Sequence, residues 1–252
     1  MTLNRRLAAM VAAAVVSATT LAAPAWSEAK NIVLVHGALV DGSGWRLVYD
    51  ILKRDGYNVS IVQQALTSLD ADVAATERVL DVQEGNVVLV GHSYGGTVIS
   101  VAGTDPKVKA LVYVAALQPD EGERTGELVA TMPGMNNDLK TTADKYLYLD
   151  PVKFPADFGA DLPSDLTEFM AVSQMPVSLD AFTAKLPKVA WHDKPSYGIV
   201  ATEDMTLNPD LQRFMYKRSG AEVTEVKASH ALYMSQPQAV ADVIKKAAHA
   251  VK

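Results

Sequence analysis

Val87-Val88-Leu89-Val90-Gly91-His92-Ser93-Tyr94-Gly95-Gly96 is the stretch that decides the fold. Four consecutive apolar residues, three of them β-branched, form the pattern of a strand buried on both faces. They run without a spacer into a glycine-flanked serine, and a helical stretch follows. A serine held on a tight strand-to-helix turn needs small residues two before and two after it, because the backbone folds back on itself there. Gly91 and Gly95 meet that need, and Gly96 permits close packing of the helix on the sheet. Such a bend holds the Ser93 hydroxyl at the carboxyl edge of the sheet, beside a helix N-terminus that favours developing negative charge. The bare G-x-S-x-G spacing also occurs by chance in glycine-rich turns. Its position between a strand and a helix is what makes it specific.

Outward from this bend, short apolar strands alternate with helical stretches. Residues 31–35 (NIVLV) read as a buried strand that runs into His36-Gly37-Ala38. Residues 47–54 read as a helix stopped by Gly56, and 58–62 as a second strand. A longer helix is predicted over 69–83, with Val73, Val79 and Leu80 at helical spacing. Strands are predicted over 108–115, 197–201 and 222–226, and an amphipathic final helix over 237–250. This alternation implies an α/β fold, a mostly parallel central sheet with helices on both faces. Residues 118–194 break the rhythm with Pro119, Pro133, Pro151, Pro155, Pro163, Pro176 and Pro187. That is far more chain than a loop of about 12–15 residues. A small, mainly helical cap inserted between two strands is expected there.

The amino-terminal 27 residues read as an export signal. Arg5 and Arg6 precede an apolar run over 7–21, and small residues follow at Ala23-Pro24-Ala25 or Ala25-Trp26-Ser27. The run falls short of the roughly 20 apolar residues that span a bilayer. A removed signal, a folded domain over 28–252, a periplasmic or secreted location and no stable membrane association are the expectations. Losing Arg5 and Arg6 and no acid would take the formal net charge from -6 to -8. With 49% hydrophobic and 21% charged residues the composition is that of a globular domain, and no basic run suggests nucleic acid as a partner. Cysteine is absent, which excludes disulfides, thiolate catalysis and thiolate metal sites.

A serine hydroxyl is a weak nucleophile and needs a base within hydrogen-bond reach. Of His36, His92, His192, His230 and His249, only His230 lies between the last predicted strand and the final helix, where the chain order Ser, acid, His puts the base. His36 is expected to brace the loop after the first strand, and His92 to point back into the protein. His192 and His249 read as surface or packing residues. The acid is expected at the end of the strand before His230, on Glu203 or Asp204, with Asp120 in its acidic turn as the rival position. For the oxyanion, the amide after the nucleophile, Tyr94, and that of Ala38 are the expected donors.

With Val33-Leu34-Val35-His36-Gly37-Ala38, Trp45, the serine bend, Thr202-Glu203-Asp204 and Ser229-His230 together, the chain resembles one branch of the α/β-hydrolases. That branch contains plant methyl-ester hydrolases, hydroxynitrile lyases, and bacterial aryl-ester and pyrethroid esterases. The resemblance runs from Lys30 to Val251 and is weakest in the cap. The branch carries an acid followed by a hydrophobic, proline-containing stretch and a glutamine. The residues from Asp204 through Pro209 to Gln212 match it, so the resemblance places the acid on Asp204. It implies a Ser-His-Asp hydrolase of small to medium apolar esters, with no metal and no organic cofactor. Two departures bear on the reaction: the lyases carry a lysine where Ala231 stands and a threonine where Gly37 stands. A haloalkane dehalogenase would need Asp in place of Ser93.

The cap is expected to select the substrate, with Met132, Met135, Phe169, Met170, Met175 and Phe182 as candidate walls of an apolar pocket. Amide or lactone hydrolysis, and a non-catalytic binding protein on the same scaffold, are the competing expectations. Oligomeric state is not legible in the sequence.

Overall fold

The computed structural model describes residues 28–136 and 138–251, so the expected signal over 1–27 lies outside the described residues. The first half of the chain runs β1 (Asn31–Val35), α1 (Arg46–Arg54), β2 (Asn58–Val62), α2 (Leu69–Asp81), β3 (Val87–His92), α3 (Gly95–Ala102) and β4 (Val108–Val114). An insertion follows, with α4 (Thr125–Thr131), β5 (Leu139–Thr141), β6 (Tyr146–Leu149), α5 (Phe154–Phe158), α6 (Ser164–Ser173), β7 (Val177–Ser178) and α7 (Leu179–Thr183). The chain then returns through β8 (Ser196–Ala201), α8 (Pro209–Ser219), β9 (Glu222–Val226), α9 (Leu232–Ser235) and α10 (Pro237–Ala250). Among the described residues no helix is long and apolar enough to cross a membrane.

The central sheet has the order β2-β1-β3-β4-β8-β9, with every neighbouring pair parallel. Continuous apolar strands follow from burial on both faces. Along β1, Val33 and Val35 join one core with Val98 of α3 and Leu211 of α8, while Ile32 and Leu34 join the other with Leu52 of α1 and Ile244 of α10. The chain turns one way from β1 to β2 and the other way from β1 to β3. In open parallel sheets the crevice at the carboxyl ends beside such a reversal is where ligands sit. The loop after β1 and the serine bend after β3 both open there.

Two predicted elements end sooner than their apolar patterns. Helix α2 stops at Asp81, and the Gln83 side-chain amide turns back to donate to the Val79 carbonyl at 2.9 Å. Strand β4 stops at Val114 because Ala115, at φ 43°, swings the chain out of the sheet. The insertion contains helices as expected and also a three-stranded antiparallel sheet, β5-β6-β7, which pairs Leu147 with Val177 and Leu139 with Leu149.

Candidate active site

The bend after β3 holds Ser93 at φ 52°, a left-handed conformation that a residue with a side chain rarely adopts. The surroundings over-determine it, as such strain requires. The Ser93 amide donates to the Val114 carbonyl at 3.2 Å, and its carbonyl accepts from the Gly96 and Leu117 amides at 2.9 and 3.0 Å. The bend is also pressed onto β1. A side-chain carbon at Gly95 would lie 2.6 Å from the His36 carbonyl oxygen, and one at Gly96 would collide with that of Leu117.

His230 leaves the loop after β9 and reaches Ser93, its Nε2 2.8 Å from the Ser93 Oγ. Its Nδ1 lies 2.6 Å from Asp204 Oδ2. A carboxylate can only accept, so Nδ1 carries the proton and Nε2 is left to accept the serine proton. Both His230 and Asp204 are essentially sealed from solvent. The Phe158 ring stands edge-on to the imidazole, 4.9 Å away at 82°.

Asp204 is held by four donors. Its Oδ1 accepts from the Thr206 and Leu207 amides at 2.9 and 2.8 Å, and its Oδ2 accepts from Gln212 Nε2 at 2.9 Å as well as from His230. Gln212 lies in the first turns of α8, a helix capped by Asn208, entered through Pro209 and closed by Gly220 at φ 69°. Glu203, the alternative acid, is exposed and faces Lys227 at 3.5 Å. The rival Asp120 pairs with His192 at 2.6 Å, away from His230.

The remaining histidines have structural tasks. His36 accepts from the Gln64 amide through Nε2 at 3.0 Å, so its Nδ1–H donates to the Gly37 carbonyl at 2.8 Å and braces the loop after β1. Burial lowers its pKa, which keeps it neutral. His92 donates from Nε2 to the His230 carbonyl at 3.0 Å, leaving a buried Nδ1 without a partner among the described residues. Burial, reinforced by the nearby His230, holds its pKa well below the ordinary imidazole value. His249 pairs with Glu28 at 2.8 Å.

Ala38 lines the same cavity as Ser93 and His230. Among the described residues no protein acceptor takes the Ala38 or the Tyr94 amide, so both are free to donate to an oxyanion. The Tyr94 side chain is buried, stacked on Phe182 with ring centroids 5.3 Å apart, and its hydroxyl donates to Asp72 at 3.0 Å. Burial pushes the Asp72 carboxyl above its ordinary value, opposed by hydrogen bonds from the Leu66 amide and the Tyr94 hydroxyl.

The cavity over Ser93 has a volume of about 260 Å³ and, among the described residues, no charged side chain in its wall. Leu117 and Leu207 contribute from beside the sheet, and Leu139, Leu147, Val177 and Phe182 from the cap. Of the six cap residues expected to form this wall, only Phe182 does so. Met135 and Phe169 are exposed, at 67% and 66%. Met132 and Met175 pack against the core beneath the cap, and Met170 joins Phe169 along a separate cavity beside Ser43 and Tyr233.

The model of the alpha/beta hydrolase family matches residues 32–243. The chain belongs to that family. The chain is 28% identical over 246 residues to a protein named putative methylesterase 11, chloroplastic, of Arabidopsis thaliana, covering 84% of its own length. It spans 62% of that protein's length, and 56% of the related putative methylesterase 13. It is 25% identical to norfluorocurarine synthase 2 of Strychnos, over 84% of this chain and 92% of that one. Among solved structures, a pyrethroid hydrolase from Sphingobium faniae superposes with a TM-score of 0.75 at 25% identity, covering 88% of this chain and 98% of that one.

Sequence reasoning did not find the aliphatic wall of this cavity. Tyr146-Leu147-Tyr148-Leu149 carried the one usable signal, a strict alternation that places Leu147 and Leu149 on one face of β6. Phe158, against the His230 ring, had no comparable mark.

Proposed function

We propose that this hydrolase cleaves small to medium apolar carboxylic esters through an acyl-enzyme on Ser93. The observation that carries the reading is the continuous chain from Ser93 Oγ through His230 to Asp204, opening into a cavity without charge. His230 takes the Ser93 proton as the oxygen attacks the ester carbonyl, and the Ala38 and Tyr94 amides receive the oxyanion. His230 then protonates the leaving alcohol. In the second half it activates water, which attacks the acyl carbonyl, releases the acid and restores the serine. Each oxyanion donor is worth about 3 kcal/mol of barrier in comparable sites.

Cyanohydrin cleavage is disfavoured by the residues themselves. Ala231 offers no cation beside His230, and Gly37 has no room for a threonine. A side-chain carbon there would lie 2.7 Å from the Ser93 Cβ and 2.9 Å from His92 Nδ1.

A fluorophosphonate is expected to modify the intact protein once, on the peptide that carries Ser93. Labelling elsewhere, or none with folded protein, would remove the reading. The uncharged wall gives a second expectation. An aryl ester with a carboxylate on its acyl chain should show kcat/KM at least about 100-fold below its neutral isostere, since an unpaired buried charge costs several kcal/mol. Equal values would mean that the acyl chain lies outside the cavity. A panel of esters, lactones and amides of matched size separates esterase from lactonase and amidase. Export is proposed on the charge and apolar pattern of residues 1–27, and protein recovered from the producing cell should begin at Trp26 or Glu28. An intact Met1 terminus on the active protein would end that proposal.

A further inference from the structure

The two peptide N–H groups that flank His230 are both tied to one short piece of the cap. On one side, the Ser229 amide donates to Asp161 Oδ2 at 3.2 Å, and the Ser229 hydroxyl to Asp161 Oδ1 at 2.5 Å. On the other side, the Ala231 amide donates to the Phe158 carbonyl at 3.0 Å. The Ser229 hydroxyl oxygen also accepts from the Ala231 amide at 3.2 Å, so the bonded path from Asp161 passes around the histidine. Ser235 of α9 donates to the same carboxylate at 2.7 Å.

The piece that bears Asp161 is itself anchored. Phe154 and Phe158 are buried and stacked, centroids 4.8 Å apart, and the Leu162 amide closes the turn onto the Gly159 carbonyl at 2.9 Å. The Asp157 carbonyl accepts from the Thr206 hydroxyl at 2.8 Å, in the loop that carries Asp204. Residues 157–161 therefore touch the loops of both the base and the acid. Hydrogen bonds to a carboxylate are about twice as strong as neutral ones, and Asp161 supplies three acceptor contacts from an exposed position.

We propose that Asp161 is a positioning residue: its carboxylate, carried by the cap, clamps Ser229 and so holds the His230 ring in line between Ser93 and Asp204. The base is needed only in the steps that move a proton, so loosening it should affect turnover rather than binding. The inference rests on the Ser93 and His230 chemistry proposed above.

The test is a comparison of Asp161→Ala, Asp161→Asn and Asp165→Ala with wild type, the last removing an exposed cap carboxylate at the start of α6. Asp161→Ala is expected to lower kcat about ten- to a hundredfold, as a misplaced catalytic group does, with KM within about twofold. Phosphonylation of Ser93 should slow by the same factor. Asp161→Asn keeps an acceptor for the Ser229 amide and should recover part of the rate, and Asp165→Ala should match wild type. An unchanged kcat in Asp161→Ala, a loss that appears in KM, a loss shared by Asp165→Ala, or no recovery in Asp161→Asn would overturn the inference. So would a loss that only follows the fraction of folded protein in circular dichroism. A wild type that neither turns over ester nor is phosphonylated would overturn this proposal and the proposed function together, whereas an active wild type with an unaffected Asp161→Ala overturns this one alone.

Discussion

Ser93→Ala is expected to lower kcat for p-nitrophenyl acetate by roughly 10⁵- to 10⁶-fold, with thermal unfolding unchanged. The size follows from the way these groups act together. Once the nucleophile is gone, His230 and Asp204 have no proton to move, and losing the nucleophile alone costs nearly as much as losing all three. The small structural cost follows from the site. Ser93 is half-buried, and its hydroxyl is bonded to His230 and not to the fold, while the strained φ of 52° is imposed by backbone bonds that alanine retains. Turnover measured at matched concentrations of folded protein checks it. Equal rates for the two proteins would leave a binding protein on a hydrolase scaffold as the better account.

Asp204→Asn is expected to cost about 10⁴-fold in kcat with the geometry largely intact. The asparagine amide would have to donate toward His230 Nδ1, which selects the opposite imidazole tautomer. Nε2 then carries the hydrogen and can no longer accept the Ser93 proton. The Thr206 and Leu207 amides, which donate to Asp204 Oδ1, favour the asparagine oxygen at that position and so turn its amide nitrogen toward His230. Glu203→Gln should change kcat less than about twofold, because that side chain faces Lys227 and solvent. The reverse ordering in a steady-state comparison would transfer the acid to Glu203.

The parts of this molecule that were legible in its sequence are those with local causes. A strand buried on both faces must be continuously apolar, so β1, β3 and β4 announced themselves, and the glycines around Ser93 marked a bend that nothing bulkier would permit. The choice between Glu203 and Asp204 had no local cause. Two adjacent acids at a strand end differ only in direction, which is set by the Thr206 and Leu207 amides and by Gln212 one helix further on. The cap was the least legible. Methionine and phenylalanine content states how much apolar surface exists, not which way it faces, and Phe169 faces solvent on α6. Three of the cap residues that do line the cavity, Leu139, Leu147 and Val177, lie in strands of two to four residues, and Leu147 pairs with Val177 across some thirty residues of chain. Elements so short carry almost no periodicity to detect.

The insertion between β4 and β8 has two separable territories. The stretches around Leu139, Leu147 and Val177 touch the cavity, whereas residues 157–161 touch the loops of His230 and Asp204 and meet the cavity through Phe158 alone. Selectivity can therefore be redrawn on the first territory, by chain-length or shape variants, while the second is left untouched. Wholesale exchange of the insertion with that of another hydrolase would replace both at once, and a chimaera made in that way inherits a new pocket together with a foreign grip on its own imidazole.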